Sequence, residues 1–160
     1  MNNVTVLGID LAKDVFQLHA INEHGKKIFN KKVSRSSLPE LIAKLPACKI
    51  VMEACGSSNY WSRKFISYGH EVVQISPQHV KPFVQGNKND KNDARAIVIA
   101  SLQDGMPTVP IKTLEQQEIQ MLHRYRESLV HERTAVGNRM RGYLREVGLF
   151  LVMGLSQVRE

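Results

Sequence analysis

The sequence predicts an α/β fold, in which a mixed five-stranded sheet with flanking helices is followed by a long helical segment. Three observations lead to this prediction. The chain opens with short apolar runs separated by turn residues, as in β-hairpins. Later strand-like runs alternate with helical segments. Toward the C-terminal end, the spacing of apolar residues becomes that of a helix. Hairpins join antiparallel strands and helical crossovers join parallel ones, so the sheet is expected to contain both kinds of pair.

Five segments have the composition of strands. The first segment is apolar and rich in β-branched residues, which is typical of a buried strand. In the second segment the residues alternate between two faces, as in a strand with one face on the core. The turn sequence NEHG after the second predicts a hairpin. The fourth and fifth are short and apolar, and the fourth ends in an acid. The predicted strands cover residues 4–9, 14–21, 27–33, 49–53 and 71–75.

The helices between and after these strands are predicted from their starts and their apolar spacing. Ser37 and Glu40 form a capping-box sequence that opens a helix ending near residue 45. A second helix begins at Ser57 or Ser58 and ends before Gly69, and a third begins at Ser76-Pro77. Residues 93–102 are almost wholly apolar, which predicts a buried helix.

The expected domain organisation is a sheet domain over residues 1–105, a linker over 106–111, a long helix over 112–148 and a tail over 149–160. An apolar residue recurs every seventh position along the helix, and arginines interrupt the companion stripe. This imperfect coiled-coil seam predicts a homodimer or homotetramer. The seam residues are Leu122, Leu129, Val136 and Tyr143.

Composition excludes several classes of protein. The 160 residues include 22 Lys+Arg and 15 Asp+Glu, which gives a net charge of +7, and only two cysteines. Two thiols are too few for a disulfide scaffold or a four-cysteine zinc site. No apolar run is long enough for a membrane span and no signal peptide is visible, so a cytoplasmic protein without a membrane partner is expected. The basic charge favours a polyanionic partner.

Four carboxylates stand where a metal site would need them. Asp10 follows the first strand, Glu53 ends the fourth, and Asp90 and Asp93 lie three residues apart at the start of the buried helix. Carboxylates brought together repel one another, and a hard cation such as Mg²⁺ or Mn²⁺ relieves the repulsion. The ordinary alternative is that Asp90 and Asp93 cap the helix, Asp10 belongs to a turn and Glu53 forms an ion pair.

Four motifs carry a resemblance to a known family. GIDLAKDVFQLH, MEACGSSNYW, SPQHVKPFVQGNKNDKNDARAI and HRYRESLVHERTAVGNRMRGYL begin at residues 8, 52, 76 and 123. In this order they resemble the N-terminal half of the DEDD transposases of the insertion sequence 110 family. The resemblance implies an RNase H-like, RuvC-like domain in which Asp10, Glu53, Asp90 and Asp93 bind two Mg²⁺ (or Mn²⁺) ions. It also implies recombination of double-stranded DNA guided by a structured bridge RNA, in a prokaryotic cytoplasm and in association with the nucleoid.

The sequence departs from the family in one respect. Members of the family carry a further C-terminal domain with a serine nucleophile, and no corresponding motif follows the long helix here. The resemblance therefore implies the metal site and not the complete reaction, so this chain is expected to be incomplete as an enzyme.

Basic residues near the acids and along the long helix are candidates for nucleic-acid contact, because cationic side chains hold phosphates without reading bases. An ion-paired, solvated helix face is the alternative. Tyr60 and Trp61 could stack on bases, although core packing with Phe65 is the more ordinary interpretation. The basic candidates are Lys81, Lys88, Lys91, Arg95, Arg124, Arg126, Arg133, Arg139, Arg141 and Arg145.

Three other functions compete with a transposase domain. A RuvC-like structure-specific nuclease would use the same acids, and a non-catalytic nucleic-acid-binding or oligomerisation module would use them structurally. Half of a sugar-kinase or actin-like ATPase also opens with a strand, an aspartate and hairpins. That fold needs glycine and a hydroxyl residue after the aspartate to hold phosphate, and Leu11-Ala12-Lys13 follows Asp10 instead.

Overall fold

The computed structural model describes residues 3–85 and 90–151, which form two compact units, Met1–Thr113 and Leu114–Glu160. The first unit contains the sheet and the second contains one long helix. The described residues include no helix that is both long and apolar enough to span a bilayer. The elements are β1 (Val6–Asp10), β2 (Val15–Ile21), β3 (Lys27–Ser34), α1 (Leu38–Ala43), β4 (Lys49–Glu53), α2 (Ser58–Ile66), β5 (Glu71–Ile75), α3 (Pro77–Val80), a 3₁₀ turn (Lys81–Phe83), α4 (Asp90–Ser101), β6 (Thr108–Val109) and α5 (Leu114–Glu146).

The sheet has the order β3-β2-β1-β4-β5-β6. The pairs β1–β2 and β2–β3 are antiparallel, whereas β1–β4 and β4–β5 are parallel. Opening hairpins and later helical crossovers therefore share one sheet, and the predicted mixed α/β class is confirmed.

A sixth strand lies where the sequence predicts a linker. Thr108 and Val109 pair antiparallel with Ile75 and Gln74 at the edge of the sheet, and Met106 packs against the core. Residues 106–111 are thus part of the first unit, and the sheet has six strands instead of the predicted five. Two residues are too few to show an alternating pattern, and the flanking prolines disfavour a strand assignment from sequence.

Two apolar layers cover the two faces of the sheet. One contains α1 and α2, with Phe16, Met52 and Phe65 fully buried against the sheet. The other contains α3 and α4, and there Ile75 and Ile97 are fully buried. Helix α1 begins at the predicted place, but its cap differs: Ser37 makes no side-chain capping bond, and Lys44 donates to Glu40 at 2.6 Å.

Helix α4 packs directly against the backbone of β1 at Gly8. A Cβ atom added to Gly8 would lie 2.6 Å from Cγ2 of Val98 and 2.7 Å from the carbonyl oxygen of Ala94. Both distances are shorter than van der Waals contact, and the carbonyl belongs to the helix backbone. The absence of a side chain at Gly8 therefore allows the helix to lie this close to the strand.

We expect Gly8→Ala to lower the free energy of unfolding by about 1–3 kcal/mol, because the methyl group forces α4 away from β1. Urea unfolding followed by circular dichroism measures this change. Gly56→Ala is the matched control, since a Cβ there meets nothing within 4 Å. Equal stability of the two variants would show that the contact at Gly8 imposes no constraint.

Candidate functional site

Three of the four predicted carboxylates line one pocket. Asp10 and Glu53 are the last residues of β1 and β4, which are parallel neighbours, so both lie at the same edge of the sheet. Asp93 reaches this pocket from the first turn of α4. All three residues are half-buried, and the pocket has a volume of about 650 Å³. The structure thus brings together acids that are far apart in the sequence.

The remaining wall of the pocket comes from α3 and the turn after it. Pro77, Gln78 and Val80 lie in α3, and Lys81 follows directly. The pocket therefore combines three carboxylates with one exposed ammonium group. This combination suits metal-assisted phosphate chemistry, in which carboxylates hold cations and an ammonium group attracts a phosphate.

Asp90 lies outside the lining of this pocket. Its Oδ2 accepts from Nζ of Lys32 on β3 at 2.7 Å, and both side chains are largely exposed. The hydrogen bond and the charge of Lys32 lower the pKa of Asp90 below its ordinary value. Asp90 and Asp93 thus share the first turn of α4, but only Asp93 contributes to the pocket.

A hydrogen-bond network attaches the start of α4 to the β2–β3 hairpin. Asn30 donates through Nδ2 to the backbone oxygen of Lys91 at 3.1 Å and to Nδ1 of His19 at 3.0 Å, and Gln17 donates to Asn30. Burial, followed by the charges of Arg95 and Lys27, lowers the pKa of His19, which favours the neutral ring that can accept from Asn30. The network fixes the helix turn that carries Asp93.

The donor chemistry of the pocket fits a hard divalent cation, since carboxylate oxygens are the ligands that Mg²⁺ and Mn²⁺ prefer. Within residues 3–85 and 90–151, however, no three His, Cys, Asp or Glu side chains are grouped closely enough to hold an ion as they stand. The acidic first turn of α4 is also favourable to the helix dipole, so the capping interpretation retains support.

The predicted basic contacts are distributed over several surfaces. Lys81 lines the carboxylate pocket, and Lys88 lies outside the described residues. Lys91 is exposed, whereas Arg95 lines a separate small crevice with Asn92. Arg141 is half-buried on α5 and donates to Asn138 at 2.6 Å. The other arginines on α5 are exposed: Arg124, Arg126, Arg133, Arg139 and Arg145.

Comparison with known proteins identifies the family. The model of the DEDD transposase family of insertion sequence IS110, described as "Transposase", matches residues 7–148. The chain belongs to this family. The DEDD transposase resemblance seen in the four motifs is therefore confirmed.

Curated transposases are similar to this DEDD transposase chain along nearly all its length. It is 46% identical over 160 residues to the transposase for insertion sequence element IS1111A of Coxiella burnetii, which covers 100% of this chain and 44% of that protein. A probable family 20 transposase of Pseudomonas aeruginosa is 44% identical over 92% of this chain and 44% of that protein. The chain thus spans less than half the length of these relatives.

The DEDD transposase chain also aligns with a solved structure, that of RuvC from Thermus thermophilus. The alignment covers 66% of this chain and 84% of that one, with a TM-score of 0.39 and 14% sequence identity.

Removal of the ammonium group of Lys32 should release Asp90. We expect Lys32→Met to raise the pKa of Asp90 toward its ordinary value, as measured by carboxyl-carbon NMR titration. Because the folded-state pKa is lowered, the ion pair stabilises the fold above the ordinary pKa, and this stabilisation disappears as the pH falls through the folded-state value.

The matched control is Lys31→Met, since Lys31 precedes Lys32 on β3 and its ammonium group lies 4.9 Å from the centre of the Phe29 ring. This variant should leave the pKa of Asp90 unchanged. A pKa that does not change in Lys32→Met would contradict the ion pair.

Proposed function

We propose that the first unit is the catalytic domain of a transposase that recombines double-stranded DNA, with two divalent cations, Mg²⁺ or Mn²⁺, held by Asp10, Glu53, Asp90 and Asp93. The observation that carries this proposal is the pocket in which Asp10, Glu53 and Asp93 meet beside Lys81. Membership of the DEDD transposase family supports the assignment of these acids. The chain matches 44% of the length of each of the two transposases compared above.

Each group in the pocket has a role in this proposal. Bound cations supply Lewis-acid activation of a phosphodiester and charge neutralisation at the oxygen that leaves. Asp10 and Glu53 are rigid ligands because they end buried strands, and Asp93 is fixed by the packing of α4. Lys81 holds a phosphate oxygen. Asp90 would hold a cation only by giving up its ion pair with Lys32, so that ion pair would oppose metal binding.

The exposed arginines of α5 support a role in nucleic-acid contact. Together with Lys91 they offer charges that bind phosphates of DNA and of a structured guide RNA without reading sequence. Binding of this kind weakens steeply as salt is raised. In this proposal the protein acts on the nucleoid of a prokaryotic cell, and its sequence specificity comes from base pairing by the RNA.

Divalent metal should stabilise the protein through the carboxylate pocket. We expect Mg²⁺ or Mn²⁺ to raise the Tm, with about 2.7 kcal/mol of stabilisation at about 100 times the Kd. Asp10→Asn and Asp93→Asn should abolish the increase while leaving the protein folded. Scanning fluorimetry with and without metal measures this effect.

Asp104→Asn is the charge-matched control, because Asp104 is exposed in the turn after α4 and does not line the pocket. Its metal response should equal that of the wild type. An equal response in Asp93→Asn would contradict the metal site and favour the capping role of that residue, as a non-catalytic module requires.

We also propose that α5 pairs with α5 of a second copy. The seam residues Leu122, Leu129, Val136 and Tyr143 are each 45–69% exposed in the single chain, and such a row of apolar side chains is typical of an interface between helices. Light scattering at high micromolar concentration should therefore give a mass greater than the 18.1 kDa of a single chain.

Leu122→Glu with Leu129→Glu should reduce this mass to that of a monomer. Gln120→Glu, a charge change away from the seam, should not. A wild-type protein that stays monomeric at that concentration would contradict the pairing of α5.

A further inference from the structure

A second pocket lies at the same edge of the sheet, on the opposite face. It lies between the end of β3 and α2 and has a volume of about 430 Å³. Its lining includes Ser34, Arg35, Ser36, Tyr60, Trp61 and Lys64. The carboxylate pocket uses residues of α3 and α4, which cover the other face. Asp14, which also lines the second pocket, stands in the short connection between Asp10 and β2.

Two cations share one aromatic ring in this pocket. The guanidinium carbon of Arg35 lies 5.4 Å from the centre of the Trp61 ring, and Nζ of Lys64 lies 5.8 Å from it. Arg35 also donates to the backbone oxygen of Lys13 at 3.3 Å. Among the described residues neither cation forms an ion pair, and Asp14 is the single acid in the lining. The pocket therefore keeps a net positive charge.

Tyr60 and Trp61 differ in exposure, although the sequence offers both residues the same two interpretations, base stacking and core packing. Trp61 is 2% exposed and packs in the core against Phe16 and Phe65, as expected. Tyr60 is 47% exposed, and its ring stands at the wall of the pocket, edge-on to Trp61. Core packing thus accounts for Trp61, whereas the Tyr60 ring is half exposed, with Nζ of Lys64 5.8 Å from its centre, and its exposed part is a surface on which another ring could stack.

We propose that this pocket binds a single-stranded segment of nucleic acid, with a phosphate on Arg35 and Lys64 and a base against Tyr60. Exposed aromatic rings beside cations are the usual means of binding unpaired strands, because every base has a stacking face. Ser34 and Ser36 also line the pocket, where Ser34 donates to Oγ of Ser37 at 2.8 Å and its Oγ lies 3.1 Å from that of Ser36. In a duplex the bases are already stacked, so a duplex would use the cations alone. The inference rests on the proposed function in transposition.

Trp61 is the single tryptophan of the chain, so its fluorescence reports directly on the pocket. We expect an eight-nucleotide oligothymidylate or oligouridylate to change this fluorescence on titration into the full chain. Arg35→Met, Lys64→Met and Tyr60→Leu should each weaken binding at least about fivefold. Lys26→Met, a change of equal charge in the β2–β3 turn at the far end of the sheet, should not. Circular dichroism of each variant confirms the fold.

An eight-base-pair duplex should bind this pocket more weakly than the single strands. Equal fluorescence changes with duplex, or affinities equal to that of the wild type in Tyr60→Leu, would overturn the proposal. The metal-induced increase in Tm is measured on the same proteins and should persist in all these variants. If it persists while no oligonucleotide binds, this inference fails alone. If oligonucleotide binding persists without a metal effect, the proposed catalytic function fails alone.

Discussion

The close packing of α4 on β1 at Gly8 is the constraint on which the candidate site depends. Asp10 is two residues beyond Gly8 on the strand, and Asp93 directly precedes Ala94, whose carbonyl oxygen limits the approach of the helix. Any side chain at Gly8 would move the first turn of α4, and Asp93 with it. Parallel pairing of β1 and β4 then places Glu53 at the same edge. A site of three residues distant in sequence thus follows from one backbone contact and one strand pair.

Charge at this edge is divided between a pocket of three acids with one cation and a separate ion pair. Asp10, Glu53 and Asp93 share one pocket with Lys81, while Lys32 holds Asp90 outside it. The polar network of Gln17, His19 and Asn30 attaches the β2–β3 hairpin to α4. It therefore holds the Lys32–Asp90 ion pair next to the carboxylate pocket. Since like charges resist being brought together, the separation of Asp90 lowers the repulsion within the pocket. A cation bound in the pocket would attract Asp90, the fourth carboxylate, toward the other three.

Sequence patterns were sufficient for elements long enough to form a recognisable apolar run or period. The strands over Lys49–Glu53 and Glu71–Ile75 are found with the predicted bounds, because each is a short apolar run between turn residues. The two residues of β6 carry no period, and the prolines beside them resemble a linker. The meeting of Asp10 with Glu53 was predictable from their places at strand ends. The pairing of Lys32 with Asp90 was not, since it depends on where the hairpin lies relative to α4, and Tyr60 differs from Trp61 in exposure only through the packing of α2.

The central claim is that Asp10, Glu53 and Asp93 hold a divalent cation between them. Anomalous diffraction from crystals of the chain grown with Mn²⁺ tests it most directly, because manganese scatters anomalously and the carboxylates do not. The account predicts a peak within coordination distance of oxygens from all three residues, and a second near Asp90 after it has left Lys32. Peaks confined to other surfaces, with the three carboxylates placed as they are without metal, would contradict the account.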